Sequence, residues 1–258
     1  MITLFDSHAH LDSRKFNDDR SEVIKRAKDA GVKYILNAGS DIKSSQRTLQ
    51  LAKEEEMVYA ALGVHPHEAK YFDNKTYETF KSLAGEEKVV AIGEIGFDFY
   101  YNHSNREAQT EAFKRQIELA REVSLPVIIH NRDAHRDTMD MLREMKAEEA
   151  GGVLHCFSGS VEIAEEALKM GFYISLAGPV TFKNSRKSRE VAEIVPEDKL
   201  MIETDCPYLS PEPKRGRRNE PAYVAFVAQK IADIRGETPE KVAEYTTNNA
   251  KRLFKIEN

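Results

Sequence analysis

Short runs of apolar and β-branched residues alternate along the chain with longer amphipathic, charged stretches. The runs are Ile2–Ser7, Val32–Asn37, Met57–Val64, Val89–Ile92, Pro126–His130, Gly152–His155, Phe172–Leu176 and Leu200–Glu203. Apolar positions at helical spacing between them predict helices near Asp18–Ala30, Ser44–Glu56, Lys75–Leu83, Arg106–Val123, Ala134–Ala147, Ser160–Met170 and Ser185–Ile194. Two more follow the last run, near Pro221–Arg235 and Pro239–Phe254. Continuous apolar strands joined by helices indicate a parallel sheet buried on both faces, because the crossover helices cover it. About eight such units in about 250 residues match an α/β protein of the (β/α)8 TIM-barrel type, here with an extra C-terminal helix. A doubly wound open sheet is the rival, but it ordinarily carries a glycine-rich phosphate loop after the first strand. His8-Ala9-His10 stands there instead. No Pro/Gly/Ser-rich linker or low-complexity tract interrupts the pattern, so residues 1–258 read as one domain.

Composition narrows the class without naming a function. The 258 residues are 41% hydrophobic and 31% charged, a globular balance able to bury a core without a disulfide or metal staple. Lys and Arg number 38 against 43 Asp and Glu, a net charge of −5, which excludes a uniformly basic nucleic-acid wrapper but not a local basic patch. Only Cys156 and Cys206 occur, which excludes a disulfide scaffold and suits a reducing compartment. The opening MITLFDSHAHLDS lacks the pattern of a secretory signal, and no run approaches the roughly 18 apolar residues of a membrane span. The expectation is a cytoplasmic protein with no membrane contact and no organic cofactor.

The chemistry lies in where the histidines and carboxylates fall. His8 and His10 close the first strand, Glu94 follows the fourth, His130 ends the fifth, His155 the sixth and Asp205 the eighth. In a parallel barrel these C-terminal ends open onto one face, where catalytic residues collect. Residues two apart on a strand share a side, so His8 and His10 both point into the mouth. A single such histidine is more often a core residue than a ligand; six ligand-type residues at the same end of five strands are hard to place by accident. Imidazoles with carboxylates suit a divalent ion such as zinc, manganese or iron. Four histidines and two carboxylates exceed one tetrahedral ion, which favours two divalent ions (Zn, Mn, Mg, Ni or Fe) bridged by Glu94, an arrangement suited to phosphodiester hydrolysis. Asp205 then serves as ligand and as base toward the attacking water. Glu203, two residues earlier on the same face, either orients water or a ligand histidine in a catalytic role or is a barrel-interior carboxylate. Cys156 and Cys206 read as small buried residues pointing away from the site, not as nucleophiles.

DSHAHLD (Asp6–Asp12), GVHPH (Gly63–His67), GEIGFDFY (Gly93–Tyr100), PVIIHNRDA (Pro126–Ala134), LHCFSG (Leu154–Gly159) and ETDCPYL (Glu203–Leu209) together resemble the TatD family of metal-dependent deoxyribonucleases, within the amidohydrolase-like barrels. PKRGRRNEP (Pro213–Pro221) and TTNNAKRLF (Thr246–Phe254) extend the resemblance over nearly the whole chain. It implies one ion on His8, His10, Glu94 and Asp205 and a second on Glu94, His130 and His155. It also implies hydrolysis of DNA, of the 3′-5′ exonuclease type, with DNA as the partner. Some related proteins act on D-aminoacyl-tRNA, so hydrolysis of another ester or amide stays open, as does a nonenzymatic metal-binding role.

Lys214, Arg215, Arg217 and Arg218 crowd the loop after the eighth strand, on the rim of the expected mouth, where guanidinium groups can grip phosphate. His65, after the third strand, is read as a phosphate-contacting donor, partly on the family pattern, while His67 has no assigned role. Arg132 is either a phosphate contact or half of a structural ion pair. Phe99, Tyr100 and Tyr101 either pack or stack on bases.

Overall fold

A computed structural model describes residues 2–257, and Met1 and Asn258 of the expected domain lie outside the described residues. Eight parallel strands run in sequential order, β1 (Leu4–Ala9), β2 (Val32–Ala38), β3 (Val58–Leu62), β4 (Val89–Asp98), β5 (Val127–Arg132), β6 (Gly152–Leu154), β7 (Tyr173–Leu176) and β8 (Leu200–Ile202). Helices α1 (Arg20–Asp29), α2 (Ile42–Glu54), α3 (Asn74–Leu83), α4 (Arg106–Glu122), α5 (His135–Glu144), α6 (Val161–Lys169), α7 (Arg186–Ile194) and α8 (Val224–Arg235) follow the strands in turn, and α9 (Pro239–Phe254) is the additional one. The expected TIM barrel is therefore the fold.

Neighbouring residues on a strand alternate between two apolar layers. Leu4, Ile35, Leu62, Ile129, Leu154 and Ile174 pack outward beneath the helices, whereas Phe5, Leu36, Ala61, Ile128, Val153, Tyr173 and Met201 form a separate inner cluster. Ala250, Phe254 and Ile256 join that inner cluster, with the Phe254 ring 6.1 Å from that of Phe5. The end of α9 thus plugs the floor of the barrel, at the strands' N-terminal ends, and leaves the opposite end for chemistry.

The seam between β1 and β8 is stitched beside that mouth. Cys206 pairs with Ala9 in a parallel bridge, His10 N–H donates to Cys206 O at 2.8 Å, and Asp205 N–H donates to His8 O at 2.9 Å. Asp6, buried beside them, accepts from Thr204 N–H and Oγ1–H at 2.8 and 2.6 Å. Closure of the barrel therefore fixes His8, His10 and Asp205 together.

Three boundaries differ from the sequence expectation for physical reasons. Strand β4 continues to Asp98, because after a register shift Ile95, Gly96, Phe97 and Asp98 pair with Ile129, His130, Asn131 and Arg132 and stay buried despite their loop-like composition. Helices α2 and α3 begin earlier than their apolar pattern, where Asp41 and Asp73 accept from Ser44 N–H and Thr76 N–H as N-caps. Gly96 is required by its surroundings, with φ +144° and the position of any Cβ only 2.0 Å from His130 O.

Candidate metal centre

Strand parity delivers the site. Ile128, Val153 and Met201 face the barrel interior, and two residues further along each chain segment His130, His155 and Glu203 reach the same side nearer the mouth. His155, Glu203 and Asp205 lie just past their short strands rather than at their ends. Glu94 lies inside β4, 3% exposed, at the centre of the cluster.

Its two oxygens face different partners. Oε2 lies 3.4 Å from His8 Nε2 and 3.6 Å from His10 Nε2. Oε1 lies 2.6 Å from His130 Nδ1, 2.8 Å from His155 Nε2 and 3.6 Å from His65 Nε2. Asp205 Oδ1 joins the first group, 3.5 Å from His10 Nε2 and 4.0 Å from His8 Nε2. All six predicted ligands are thus brought together.

The donor set fits divalent ions. Ligand bonds of about 2.0–2.2 Å give tetrahedral ligand–ligand edges of roughly 3.3–3.6 Å. His8 Nε2 and His10 Nε2 stand 3.2 Å apart, and His130 Nδ1 and His155 Nε2 3.3 Å apart. His10 Nδ1 lies 3.0 Å from Ala38 O, which can only accept, so the proton sits on Nδ1 and the Nε2 lone pair faces the site. Glu203, fully buried, accepts from Cys156 N–H at 2.8 Å and places the same oxygen 3.2 Å from His155 Nδ1. Asp98 Oδ2 stands 3.3 Å from His130 Nε2 and 3.0 Å from His67 Nε2. Each histidine facing Glu94 Oε1 from β5 and β6 therefore has a carboxylate behind it, the usual device for fixing a metal-ligating imidazole.

Electrostatics without an ion reflect this crowding. Burial disfavours charge on Glu94, yet His155, His65 and His130 outweigh it and hold its pKa well below the carboxylate range. Burial also opposes charge on His10, but Asp205 and Glu94 push it up to about 9. His155 is raised well above its ordinary value by Glu94 and Glu203, against its burial. His8 is lowered by burial and by His155, and burial takes His65 well below the imidazole range.

The remaining expectations divide. His65 sits inside the cluster, and its Nδ1 accepts from His67 N–H at 3.1 Å. In the neutral ring the proton must then be on Nε2, which makes that atom a donor aimed at the centre. Arg215 and Arg217 are exposed beyond β8; Arg215 packs 3.9 Å over the Phe182 ring and Lys214 lies over Tyr223. Arg218 corrects the expectation of a phosphate contact: it holds both oxygens of Asp19 at 2.6 and 2.8 Å and donates to Lys15 O, so its guanidinium is consumed in tying the loop to α1. Arg132 is exposed and lies over Tyr100 and Tyr101 at 4.1 and 4.7 Å, a cation–π contact in place of an ion pair. Phe99 packs against Phe97 and beneath Arg106, which removes it from base stacking. Cys206 is buried as expected, but Cys156 is only partly so, and its thiol lies within the field of Asp205, Glu203 and Glu94. Burial and those carboxylates raise the Cys156 thiol well above 9, so a thiolate nucleophile is disfavoured.

Asp98 and His67 are the functional candidates that the sequence reading missed or left unassigned. Their signal was available: 94, 96 and 98 share one side of a strand if β4 is allowed to continue. With His65 they form a further group whose ligand atoms lie within 4.8 Å of one another.

Comparison with known proteins identifies the family and the fold. The family described as TatD related DNase matches residues 5–255. The uncharacterized metal-dependent hydrolase YabD of Bacillus subtilis is 49% identical over 98% of this chain and 99% of its own length. The 3′-5′ ssDNA/RNA exonuclease TatD of Shigella flexneri is 40% identical over 98% of this chain and 99% of its own. Among solved structures, YjjV, a TatD homologue from Escherichia coli K12, superposes with TM-score 0.93 at 31% identity, covering 98% of each chain. Barrel, ordered motifs and whole-length similarity coincide, and the chain belongs to the TatD family of metal-dependent hydrolases.

Proposed function

We propose that this protein is a nuclease that hydrolyses phosphodiester bonds of nucleic acid, DNA foremost, at a centre of two divalent ions sharing Glu94. One observation carries the reading: the two oxygens of Glu94 face separate imidazole groups, His8 and His10 on one side, His130 and His155 on the other. Ions held there supply a nucleophilic water at neutral pH and a positive clamp on the phosphate.

The chain's own groups do the rest. Asp205 accepts the proton of the attacking water, since its carboxyl is held ionised by its hydrogen bond to His10 and the nearby His8, against its burial. His65 donates Nε2–H to a non-bridging phosphate oxygen. Glu203 and Asp98 keep His155 and His130 in position. Arg215, Arg217 and Arg132 border the mouth, where guanidinium groups take neighbouring phosphates. Removal of nucleotides from a 3′ end of single strands is supported by the name of the Shigella flexneri relative. Imidazole with carboxylate donors leaves Zn, Mn, Mg, Ni and Fe as candidate ions. The absence, among the described residues, of any helix long and apolar enough to cross a membrane, with two free thiols, supports a place in the cytoplasm.

Metal-loaded protein given end-labelled single-stranded DNA, duplex DNA, aminoacyl-tRNA and small esters should degrade DNA and stop on chelation. Intact DNA beside a cleaved aminoacyl or small ester would replace the nuclease reading with hydrolysis of another ester.

A further inference from the structure

Several of the exposed large apolar side chains gather around the mouth rather than over the helices. Tyr100 is 59% exposed, Tyr101 51% and Tyr208 49%. Exposed rings scattered singly need no partner, but rings gathered at the mouth of a site mark a surface for a ligand.

Their placement has a pattern. Tyr208 follows β8 and meets His10, which follows β1, at a steep interplanar angle with 6.2 Å between rings. Tyr100 follows β4 and lies under Arg132, the last residue of β5. In a ring of eight strands in sequential order, the β8/β1 seam and the β4/β5 pair are diametrically opposed. The two residues therefore follow strands on opposite sides of the barrel mouth.

The main chain of each is tied to a site residue, Tyr100 to the Asp98 carboxylate and Tyr208 to the Asp205 backbone carbonyl. Tyr100 N–H donates to Asp98 Oδ1 at 3.1 Å, and Tyr208 N–H donates to Asp205 O at 3.0 Å. Tyr208 O also accepts from buried Asn219 Nδ2 at 2.6 Å. Tyr101, stacked on His103 at 11°, meets Tyr100 edge-on at 4.8 Å and serves as its brace. Each ring has one cation beside it, Lys15 Nζ 4.7 Å from the Tyr208 centroid and Arg132 4.1 Å from that of Tyr100. A π-face next to a cation is the recurrent design for binding unpaired bases along a phosphate chain.

We propose that Tyr208 and Tyr100 are two base platforms that receive the nucleobases on either side of the scissile phosphate of an unpaired strand. The inference rests on the nuclease reading above and adds to it the basis of strand selection. In a duplex, successive bases stack about 3.4 Å apart on one another and cannot be parted to opposite walls without being unpaired.

Short single strands carrying 2-aminopurine at the last or the next-to-last position of the 3′ end provide the test. With metal withheld by EDTA, binding by the intact protein should quench both probes. Tyr208→Ala should release the quenching at one position and Tyr100→Ala at the other. With metal supplied, each variant should lose about 5- to 100-fold in kcat/KM on an ordinary strand. That handicap should vanish on a strand whose flanking residues are abasic, and Tyr208→Phe and Tyr100→Phe should recover the loss. Quenching that either variant abolishes at both positions, or at neither, overturns the platforms while strand cleavage by the unaltered protein upholds the nuclease reading. Failure of the unaltered, metal-loaded protein to cleave any strand overturns both.

Discussion

Glu203→Gln separates two roles that one buried carboxylate can play. Glu203 Oε1 accepts from Cys156 N–H at 2.8 Å and stands 3.2 Å from His155 Nδ1. Glutamine keeps the shape and one accepting oxygen but loses the charge. A hydrogen bond to a charged group is worth about 1.5–3 kcal/mol and a neutral one about 0.5–1.5, so the exchange weakens the hold on His155 by roughly 1–1.5 kcal/mol. At about 1.4 kcal/mol per tenfold, metal affinity at the His155 side should fall roughly tenfold. Glu203→Ala strands both donors in a buried site, at about 1–3 kcal/mol each. It should lower metal affinity by up to about 100-fold, the upper range for losing such a partner, and lower the melting temperature as well. The assay is competitive titration of chelator-stripped protein with a chromogenic chelator, followed by turnover at saturating metal. Most activity should return to the glutamine variant once metal is in excess. A glutamine variant with full metal occupancy and no turnover would refute the positioning role and make Glu203 a direct participant. Unchanged affinity in the alanine variant would refute its hold on His155.

Asp205→Asn should reduce turnover by about 10²–10⁴-fold, the range for removing a positioned base, and preserved turnover at saturating metal would take the proton-accepting role from Asp205. Metal binding should strengthen as pH rises toward 9. His10 in the metal-free protein, lifted to about 9 by Asp205 and Glu94 against its burial, carries a proton below that pH that the ion must displace. Adding metal at pH 7 in weak buffer should therefore release protons, and a pH-independent affinity between 7 and 9 would contradict this. Arg215→Ala and Arg217→Ala together should weaken binding of single strands and flatten its salt dependence by up to about 0.7 in log–log slope per lost phosphate contact. Arg218→Ala should leave that slope alone and lower thermal stability through loss of its bidentate contact with Asp19.

The barrel and its six candidate ligands were legible because the alternating blocks place all six at or just past the C-terminal ends of strands. Register shifts in β1 and β4, not simple parity, turn His8, His10 and Glu94 to the site. Alternate apolar and charged blocks set the strand and helix order, and parity along each strand sends His130 and His155 to the side of Ile128 and Val153. What escaped depended on pairing or packing that no local pattern encodes. Gly93–Asp98 resembles a loop in composition, yet pairing with β5 keeps it a buried strand and brings Asp98 behind His130. Arg218 is indistinguishable in sequence from Arg215 and Arg217, and only the approach of α1 places Asp19 against it. Phe99 and Tyr100 are adjacent, but one turns beneath Arg106 and the other outward. The role of α9 was equally hidden, since nothing in its amphipathic pattern tells that Phe254 reaches Phe5 in the barrel floor.

Anomalous scattering from crystals grown with manganese or zinc tests the shared-carboxylate centre most directly. Two peaks per chain are expected, one among His8, His10 and Asp205 and one between His130 and His155, with a different oxygen of Glu94 about 2.0–2.2 Å from each. A single peak at full occupancy, or two peaks that Glu94 does not touch, would contradict it.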